Sequence, residues 1–191
     1  MPSPLRFTTP VSWVQCVLND FDAFLLDHAA AEKKASGMAI AMISNYPDKT
    51  RLVNEMVELA IEELVHYKEV FKVIHQRGLN LIADEKDAYI HAMRQLVRHG
   101  KGENFLDRML TAAIIEARGA ERFALVADAL PEGQLKAMYK AIANSEKRHY
   151  SLFIELACDF YPRDEVLLRA DQLLDQEADI CRNLPIRARL H

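Results

Sequence analysis

The chain has 191 residues, of which 50% are hydrophobic and 27% charged, a balance typical of one globular domain and unlike that of a disordered chain. Its net charge of −4 counts against a general nucleic-acid binder, and no apolar stretch is long enough to span a membrane. The three cysteines form no C-x-x-C pair and the N-terminus has no apolar signal core, so we expect neither a zinc ribbon nor export, and a cytoplasmic location.

Helix breakers are scarce, which predicts an all-α protein. Only 6 glycines and 7 prolines occur, and no run of alternating β-branched residues indicates a strand. In chain order the predicted helices are a short one from Ser12, long ones over residues 20–44 and 49–76, a shorter one after Asp84, long ones over residues 103–129 and 133–159, and a last one after Asp164.

The connections between these helices predict their arrangement. The turn over residues 45–48, with Asp48 as the expected N-cap of the next helix, and the break at Pro131 are both short, and short turns join antiparallel neighbours. The connection over residues 78–102 is long enough for a crossover between the two hairpins. The sequence therefore predicts a ferritin-like four-helix bundle with one long crossover and added short helices. We expect one domain over residues 1–191; an ordinary bundle whose fold implies no function is the alternative.

Two E-x-x-H motifs occupy matching places in the two predicted hairpins. A glutamate precedes each motif: Glu32 lies 31 residues before Glu63, and Glu116 lies 30 residues before Glu146. Since a helix rises about 1.5 Å per residue, the two glutamates of each pair lie at nearly the same distance from their turn. Positions i and i+3 share one helix face, so each hairpin is predicted to bring two glutamates and one histidine together.

Glutamates and histidines at the same distance from the turns predict a metal centre. Four carboxylates and two imidazoles in an apolar core need compensating positive charge, which two divalent cations supply. Oxygen-rich ligation with one nitrogen per metal suits iron or manganese, and this is the ligand pattern of di-iron carboxylate proteins. The predicted ligands are Glu32, Glu63, His66, Glu116, Glu146 and His149. No other catalytic residue is predicted, and the alternative is a coincidence of E-x-x-H pairs on solvated helix faces.

Several neighbouring residues have two interpretations each. His28, one turn before Glu32, either faces the metals or is a hydrogen-bonded core histidine. Gly119, inside a predicted helix, either leaves room for dioxygen or substrate or permits close helix packing. Tyr67 and Tyr150 either serve radical chemistry or are core tyrosines with satisfied hydroxyls. We expect Glu62 and Glu121 to be exposed or to support the ligands, and His75, His91, His99 and His191 to lie at the surface.

Four segments resemble a known family. They are residues 27–35 (DHAAAEKKA), 62–66 (EELVH), 114–123 (IIEARGAERF) and 145–149 (SEKRH). These segments resemble the bacterial tRNA hydroxylases of the ferritin-like di-iron superfamily, and the resemblance extends from about residue 7 to residue 180. It implies a monooxygenase that hydroxylates the isopentenyl group of 2-methylthio-isopentenyl adenosine next to the anticodon, using dioxygen and two electrons.

The resemblance also implies a role for each ligand and a set of partners. Glu32 and Glu116 would be terminal ligands, Glu63 and Glu146 bridging ligands, and His66 and His149 the nitrogen ligands of two iron ions. The implied partners are tRNA and a separate electron-donor protein, because the chain shows no electron-transfer domain. Two ferrous ions would offset the four ligand carboxylates, which relieves the conflict between an acidic protein and an RNA substrate. The sequence indicates no oligomeric state.

Two groups of arginines are candidates for contacts with tRNA phosphates. The first lies in residues 182–191, a segment that we expect to be irregular. It is also basic, because it contains three arginines and no acidic residue. The candidates are Arg182, Arg187 and Arg189 there, and Arg118, Arg122 and Arg148 on the ligand helices. Ordinary solvent-facing charges are the alternative interpretation of both groups.

Other classes of protein share parts of this pattern. A ferritin-like iron-binding or ferroxidase protein would need a multi-subunit cage, and a peroxide-reducing di-iron protein usually carries a domain with paired C-x-x-C motifs. A ribonucleotide reductase subunit would be longer and would need a radical tyrosine near one iron. A metal-free structural bundle is the alternative without enzymatic function, and metal analysis distinguishes it from the others.

Overall fold

The computed structural model describes residues 3–191, and every regular element in that part of the chain is an α-helix. The helices are α1 (Val11–Asn19), α2 (Phe21–Asn45), α3 (Thr50–Gln76), α4 (Ala88–Gln95), α5 (Lys101–Ala129), α6 (Gln134–Phe160) and α7 (Arg163–Asn183). All seven predicted helices are present among the described residues, with the largest boundary differences around α4. No helix over residues 3–191 is both long and apolar enough to cross a membrane.

The chain divides into two compact units. The smaller unit comprises residues 16–85 and 188–190 and contains the hairpin of α2 and α3. The larger unit comprises the described residues up to Gln15, residues 86–187 and His191, and it contains the hairpin of α5 and α6 together with α4 and α7. Each predicted hairpin is therefore found inside one unit.

In the smaller unit, buried apolar residues at helical spacing hold α2 and α3 together. Leu52, Met56 and Leu59 form part of the buried face of α3, and Phe24 and Met42 lie on that of α2. Burying a face of this kind is worth about 25 cal/mol for each Å² of apolar surface removed from water. The two helices therefore present fixed faces on which polar residues can be positioned.

Local hydrogen bonds define the ends of α2 and α3. Asp20 caps α2 by accepting a hydrogen bond from the Ala23 amide at 3.3 Å. Gly78, at φ 73°, ends α3 as predicted, and the amides of Gly78 and Leu79 donate to the last carbonyls of the helix. The prediction of Asp48 as N-cap of α3 is wrong. The Lys49 amide donates to Tyr46 O at 3.1 Å, so the turn extends one residue further and the helix begins at Thr50 without a side-chain cap.

In the larger unit, α5 is a central helix that packs against α6, α7 and α4. Two of its buried polar residues are paired with side chains that lie outside the helix. Arg118, with no exposed surface, donates to both carboxylate oxygens of Glu177 on α7, at 2.8 and 3.0 Å. Asp107, also fully buried, accepts hydrogen bonds from Arg98 and Arg169. These pairs fix the register of α5 against its neighbours.

Asp107→Asn is expected to destabilise the protein by about 3 kcal/mol, because it leaves the guanidinium of Arg169 half-paired in a largely buried position. Burial raises the pKa of Asp107, but hydrogen bonds from Arg98 and Arg169 outweigh it and lower the pKa from 3.8 to about 2. The stabilisation is thus present above pH 3.8 and is lost as the pH falls towards 2. Urea unfolding should show a difference in free energy of unfolding between wild type and Asp107→Asn, and this difference should become smaller as the pH falls from 3.8 towards 2.

Asp128→Asn is the matched control for this measurement, because Asp128 lies on the same helix and is exposed. We expect its free energy of unfolding to stay within about 0.5 kcal/mol of wild type. Equal stabilities of Asp107→Asn and Asp128→Asn would mean that the Asp107 cluster contributes nothing to folding.

The irregular end of the chain is shorter than predicted. Helix α7 continues to Asn183, so Arg182 is helical and the irregular segment begins at Leu184. Pro185 follows directly, and a residue before proline is disfavoured in the helical conformation, which explains the end of the helix at this point.

Candidate metal centre

The α2–α3 hairpin brings Glu32, Glu63 and His66 together. Their side chains are 4%, 1% and 7% exposed, so all three are buried although each is polar. His66 Nδ1 lies 3.4 Å from Glu63 Oε2 and 3.7 Å from Glu32 Oε2. One ligating atom from each residue lies within 4.8 Å of those of the other two. We call this group the first triad.

The α5–α6 hairpin brings Glu116, Glu146 and His149 together in the same way. These side chains are 5%, 5% and 3% exposed. His149 Nδ1 lies 3.6 Å from Glu116 Oε2 and 3.9 Å from Glu146 Oε1. The three ligating atoms again lie within 4.8 Å of one another, and we call this group the second triad.

The two triads have the same internal arrangement, and together they contain all six residues that the sequence predicted as ligands. In each triad, Nδ1 of the histidine faces one glutamate on its own helix and one on the partner helix. Two carboxylates supply hard oxygen donors and one imidazole supplies a nitrogen donor, a combination that suits iron or manganese. The donor chemistry of this chain therefore fits a metal of that kind, and the buried carboxylate and histidine clusters indicate iron binding.

Electrostatics in the first triad favour a positive charge there. Burial raises the pKa of Glu32, although hydrogen bonds from His28 and His66 oppose that shift. Burial disfavours the charged form of His66, yet its hydrogen bonds with Glu32 and Glu63 outweigh this and raise its pKa to about 10. A metal cation bound between these side chains would satisfy the same carboxylates and would release the proton of His66.

Two further residues support the triads. His28 is fully buried and its Nε2 lies 2.6 Å from Glu32 Oε1, so it contacts a predicted ligand as well as being a core histidine. Ser145 Oγ lies 3.4 Å from His149 Nε2, and Arg148 donates to the same hydroxyl at 3.1 Å. Sequence reasoning missed Ser145. Its position one helical turn before His149 is the signal that could have identified it.

Gly119 permits close packing in the second triad. A Cβ atom at this position would lie 3.4 Å from Glu146 Oε2 and 3.6 Å from Phe123 Cε2. The side chain that packs closest to Gly119 is therefore the carboxylate of Glu146, a predicted ligand. Of the two interpretations given by the sequence, the structure favours packing at this position over an open cavity.

The other residues considered in the sequence have varied environments. Tyr67 stacks against Phe71, with ring centroids 6.3 Å apart, and burial raises the pKa of the half-buried Tyr150. Glu121 accepts hydrogen bonds from the amide and hydroxyl of Thr9, so it anchors the start of the chain. Glu62 is half-buried, and the histidines that are exposed as predicted are His75, His91 and His99.

The prediction that His191 lies at the surface is wrong. Its side chain is only 4% exposed, because the ring stacks on Tyr89 with centroids 4.6 Å apart and Nδ1 bonds to Asp87 at 3.0 Å. No local sequence pattern predicts this contact, because Asp87 and Tyr89 precede His191 by more than a hundred residues.

Several arginines proposed for phosphate contacts are already paired with carboxylates. Arg118 is fully buried against Glu177, which removes it from the candidates. Arg189 bonds to Glu85 and also lies near Asp27. In the tail segment, Arg182 pairs with Asp179, whereas Arg187 is exposed and makes no hydrogen bond or ion pair with any described residue. Arg148 is exposed, and Arg122 is 7% exposed.

Comparisons with known proteins agree with these observations. A family model described as tRNA-(ms2io6A)-hydroxylase (MiaE) matches residues 2–191. The tRNA 2-(methylsulfanyl)-N(6)-isopentenyladenosine(37) hydroxylase of Pseudomonas putida is 31% identical over 183 residues, which cover 96% of this chain and 89% of that protein. The protein of the same name from Salmonella typhimurium is 29% identical over 187 residues, covering 95% and 67%.

A solved structure is also similar to this chain. It is described as protein 43 with aldehyde deformylating oxygenase activity from Synechococcus; it is 33% identical, has a TM-score of 0.92, and the match covers 98% of this chain and 94% of that chain. The chain belongs to the tRNA-(ms2io6A)-hydroxylase (MiaE) family. The predicted family, the all-helical ferritin-like fold and the prediction of a di-iron hydroxylase are confirmed.

Proposed function

We propose that this chain hydroxylates the isopentenyl group of 2-methylthio-isopentenyl adenosine next to the anticodon of tRNA, using dioxygen and two electrons. The observation that carries the proposal is the family match over residues 2–191, a range that includes both triads in full. The two curated relatives are named for the hydroxylation of this nucleoside at this place in tRNA.

We propose further that the two hairpins form one ferritin-like domain in which the triads hold two iron ions. Glu32, Glu63 and His66 would hold metal in the first triad, and Glu116, Glu146 and His149 would hold it in the second. Support comes from the matching internal geometry of the triads and from a family whose fold is of the di-iron type. When bound, the iron ions would supply the activation of dioxygen that an unactivated C–H bond requires.

The side chains of this chain would prepare the site in three ways. The four ligand carboxylates balance the charge of two ferrous ions, so the loaded site carries no net charge into the core. His28 would hold Glu32 in its orientation through the bond between Nε2 and Oε1, and Ser145 would orient the ring of His149. Side chains that are at most 7% exposed leave little room for bulk water, which would otherwise compete with the substrate.

The substrate and the electrons would come from outside the domain. The modified adenosine lies in a single-stranded loop, from which a base can be splayed out and inserted into a protein pocket. We propose a separate protein as electron donor. In the part of the chain that the structure describes, the regular elements are helices and the three cysteines form no pair that could hold a redox centre. We also propose a cytoplasmic location, since the tRNA substrate is found there.

Oxygen incorporation tests the proposed function directly. Purified, iron-loaded protein is given a chemical reductant, isotopically labelled dioxygen and tRNA that carries the unhydroxylated nucleoside. We expect one labelled oxygen atom in the isopentenyl group of the digested nucleoside, detected by mass spectrometry. A hydroxylated product without label, whose oxygen therefore comes from water, would contradict the proposal, and so would the absence of product with fully iron-loaded protein.

A second candidate function follows from the similarity to the solved Synechococcus protein, which is described as having aldehyde deformylating oxygenase activity. The same iron-loaded preparation should therefore be given an aliphatic aldehyde in a parallel reaction. Formate release without any hydroxylation of tRNA would favour deformylation, and hydroxylation of tRNA alone would exclude it.

His28→Ala is expected to weaken iron retention by about tenfold or more, because outer partners of metal ligands typically contribute that much to affinity. His28→Gln should restore part of the loss, since its amide can still donate to Glu32. His75→Ala, which replaces an exposed histidine of α3, is the control and should retain iron like wild type. Iron release to a chelator, followed by absorbance, measures all three variants.

A further inference from the structure

Helix α3 carries a second apolar face, which is exposed. Five large apolar side chains of this helix are between 40% and 54% exposed, namely Val57, Ile61, Leu64, Val65 and Phe71. None of them belongs to the buried face of α3, which carries Glu63 and His66. Single exposed apolar residues are ordinary, whereas a contiguous group of them on one helix marks a surface that contacts another molecule.

The spacing of these residues is that of a contact between two helices. Positions that are alternately four and three residues apart lie along one line of a helix, as in a coiled coil. On α3 this line comprises six exposed residues, Val57, Ile61, Leu64, Lys68, Phe71 and His75, and we call it the outer seam. At about 1.5 Å per residue the outer seam extends over roughly 27 Å. A second helix can therefore pack along most of the exposed side of α3.

Ring stacking holds the aromatic part of the outer seam in place. Phe71 lies between Tyr67 and His75, with ring centroids 6.3 and 6.4 Å away and stacked planes. An exposed ring that is already fixed loses little conformational freedom when another surface packs against it. Phe71 is thus a pre-formed contact at one end of the outer seam, and Val57 and Ile61 are aliphatic contacts at the other end.

Two charged residues beside the outer seam make it complementary to itself. Glu58, Val65 and Lys72 follow one another at intervals of seven residues and border the seam on one side. Glu58 and Lys72 are exposed, and neither makes an ion pair with a residue in the described part of the chain. If two copies of α3 pack antiparallel, Glu58 of each copy faces Lys72 of the other, and the two Val65 side chains meet near the two-fold axis. A parallel arrangement would instead place like charges opposite each other.

We propose that the outer seam of α3 is the interface of a homodimer in which two copies of this helix pack antiparallel. In that register Ile61 faces Phe71 of the second copy. Leu64 faces Lys68 of the second copy, whose aliphatic stem covers it while the ammonium group stays in water. A lysine at one position of such a seam favours a single register, at a cost in stability. A second copy fits better than an unrelated partner, because the apolar and charged positions of the seam complement the same helix in the reverse direction. The proposal does not depend on the proposed function.

Sedimentation equilibrium of the iron-loaded, full-length protein measures this interface. We expect a monomer–dimer equilibrium for wild type. Ile61→Asp should weaken dimerisation by about a hundredfold or more, because each dimer would bury two unpaired carboxylates. Leu168→Asp is the control, since Leu168 is a 63% exposed apolar residue of α7, and it should dimerise like wild type. A wild-type protein that is monomeric at every concentration, or an Ile61→Asp variant that dimerises like wild type, would overturn the proposal.

Exchange of charges tests the antiparallel register. Glu58→Lys and Lys72→Glu, each taken alone, place like charges opposite each other twice in every dimer, so each should weaken dimerisation about tenfold. The double variant that carries both changes should dimerise like wild type. An equimolar mixture of the two single variants should also form dimers, because opposite charges face each other again at both places. Single variants that dimerise like wild type, or a double variant that is no better than the single ones, would overturn the proposal.

Helix content and iron content distinguish a lost interface from a damaged subunit. All of these variants change exposed side chains, so circular dichroism and iron analysis should give the wild-type values. Weaker dimerisation with both values unchanged supports the proposal. If Ile61→Asp loses helix content, the mixture of Glu58→Lys and Lys72→Glu decides, because damaged subunits would not regain dimerisation on mixing. A mixture that stays monomeric would then overturn the proposal.

Discussion

Glu63→Ala is expected to abolish hydroxylation and to reduce iron from about two ions per chain to less than one, while the helix content stays unchanged. Glu63 is 1% exposed, and its Oε2 lies 3.4 Å from His66 Nδ1. Water therefore cannot easily take the place of this carboxylate as a ligand, and the carboxylate makes no contribution at the surface. The metal-free variant should be at least as stable as metal-free wild type, because removing a buried carboxylate relieves a desolvation penalty. Iron analysis, circular dichroism and chemical denaturation measure these three quantities.

Glu69→Ala is the matched control for this variant, since Glu69 is an exposed glutamate of the same helix. It should bind iron and turn over like wild type. His149→Ala applies the same test to the second triad and should also lose iron. Full iron content in both Glu63→Ala and His149→Ala would show that the triads are not the metal site.

Gly119→Leu is expected to have the second largest effect, a loss of most activity together with weaker iron retention. A Cβ at Gly119 already lies 3.4 Å from Glu146 Oε2, so the rest of a leucine side chain would occupy the place of that carboxylate. Overpacking of this kind typically costs about 1–3 kcal/mol, which a well-packed helical protein can absorb. The protein should therefore fold, and the damage should be confined to the ligand.

Two glycine variants sharpen this test. Gly119→Ala adds only the Cβ, at ordinary contact distance, and should retain iron while gaining up to about 1 kcal/mol from helix propensity. Gly37→Leu adds the same side chain to an exposed glycine of α2 that has nothing within 4 Å, so its iron content should not change. Wild-type turnover by Gly119→Leu would mean that Glu146 can move without consequence.

The helices and the two triads could be predicted from the sequence because both depend on local spacing. The near absence of glycine and proline inside the helices determines where they form, and equal distances from two turns bring Glu32 level with Glu63 and Glu116 level with Glu146. Pairing within one hairpin involves residues about thirty positions apart, joined by a short turn. Counting residues from the turn is therefore sufficient to predict which side chains of a hairpin lie at the same height.

Contacts between distant segments could not be predicted in the same way. Arg118 looked like a candidate for phosphate contact because its partner Glu177, on a helix far along the chain, carries no local signal. His191 looked exposed because Asp87 and Tyr89 hold it from across the sequence. The wrong N-cap at Asp48 was instead a local error of one residue in the length of a turn.

Nucleoside analysis of tRNA from living cells tests the central claim most directly. Cells that lack the gene for this protein are complemented with wild type, with Glu63→Ala or with Glu69→Ala, and their tRNA is digested and analysed by mass spectrometry. We expect the hydroxylated isopentenyl nucleoside with wild type and Glu69→Ala, and only its unhydroxylated precursor with Glu63→Ala or with no protein. Equal amounts of the hydroxylated nucleoside in all four strains would contradict it.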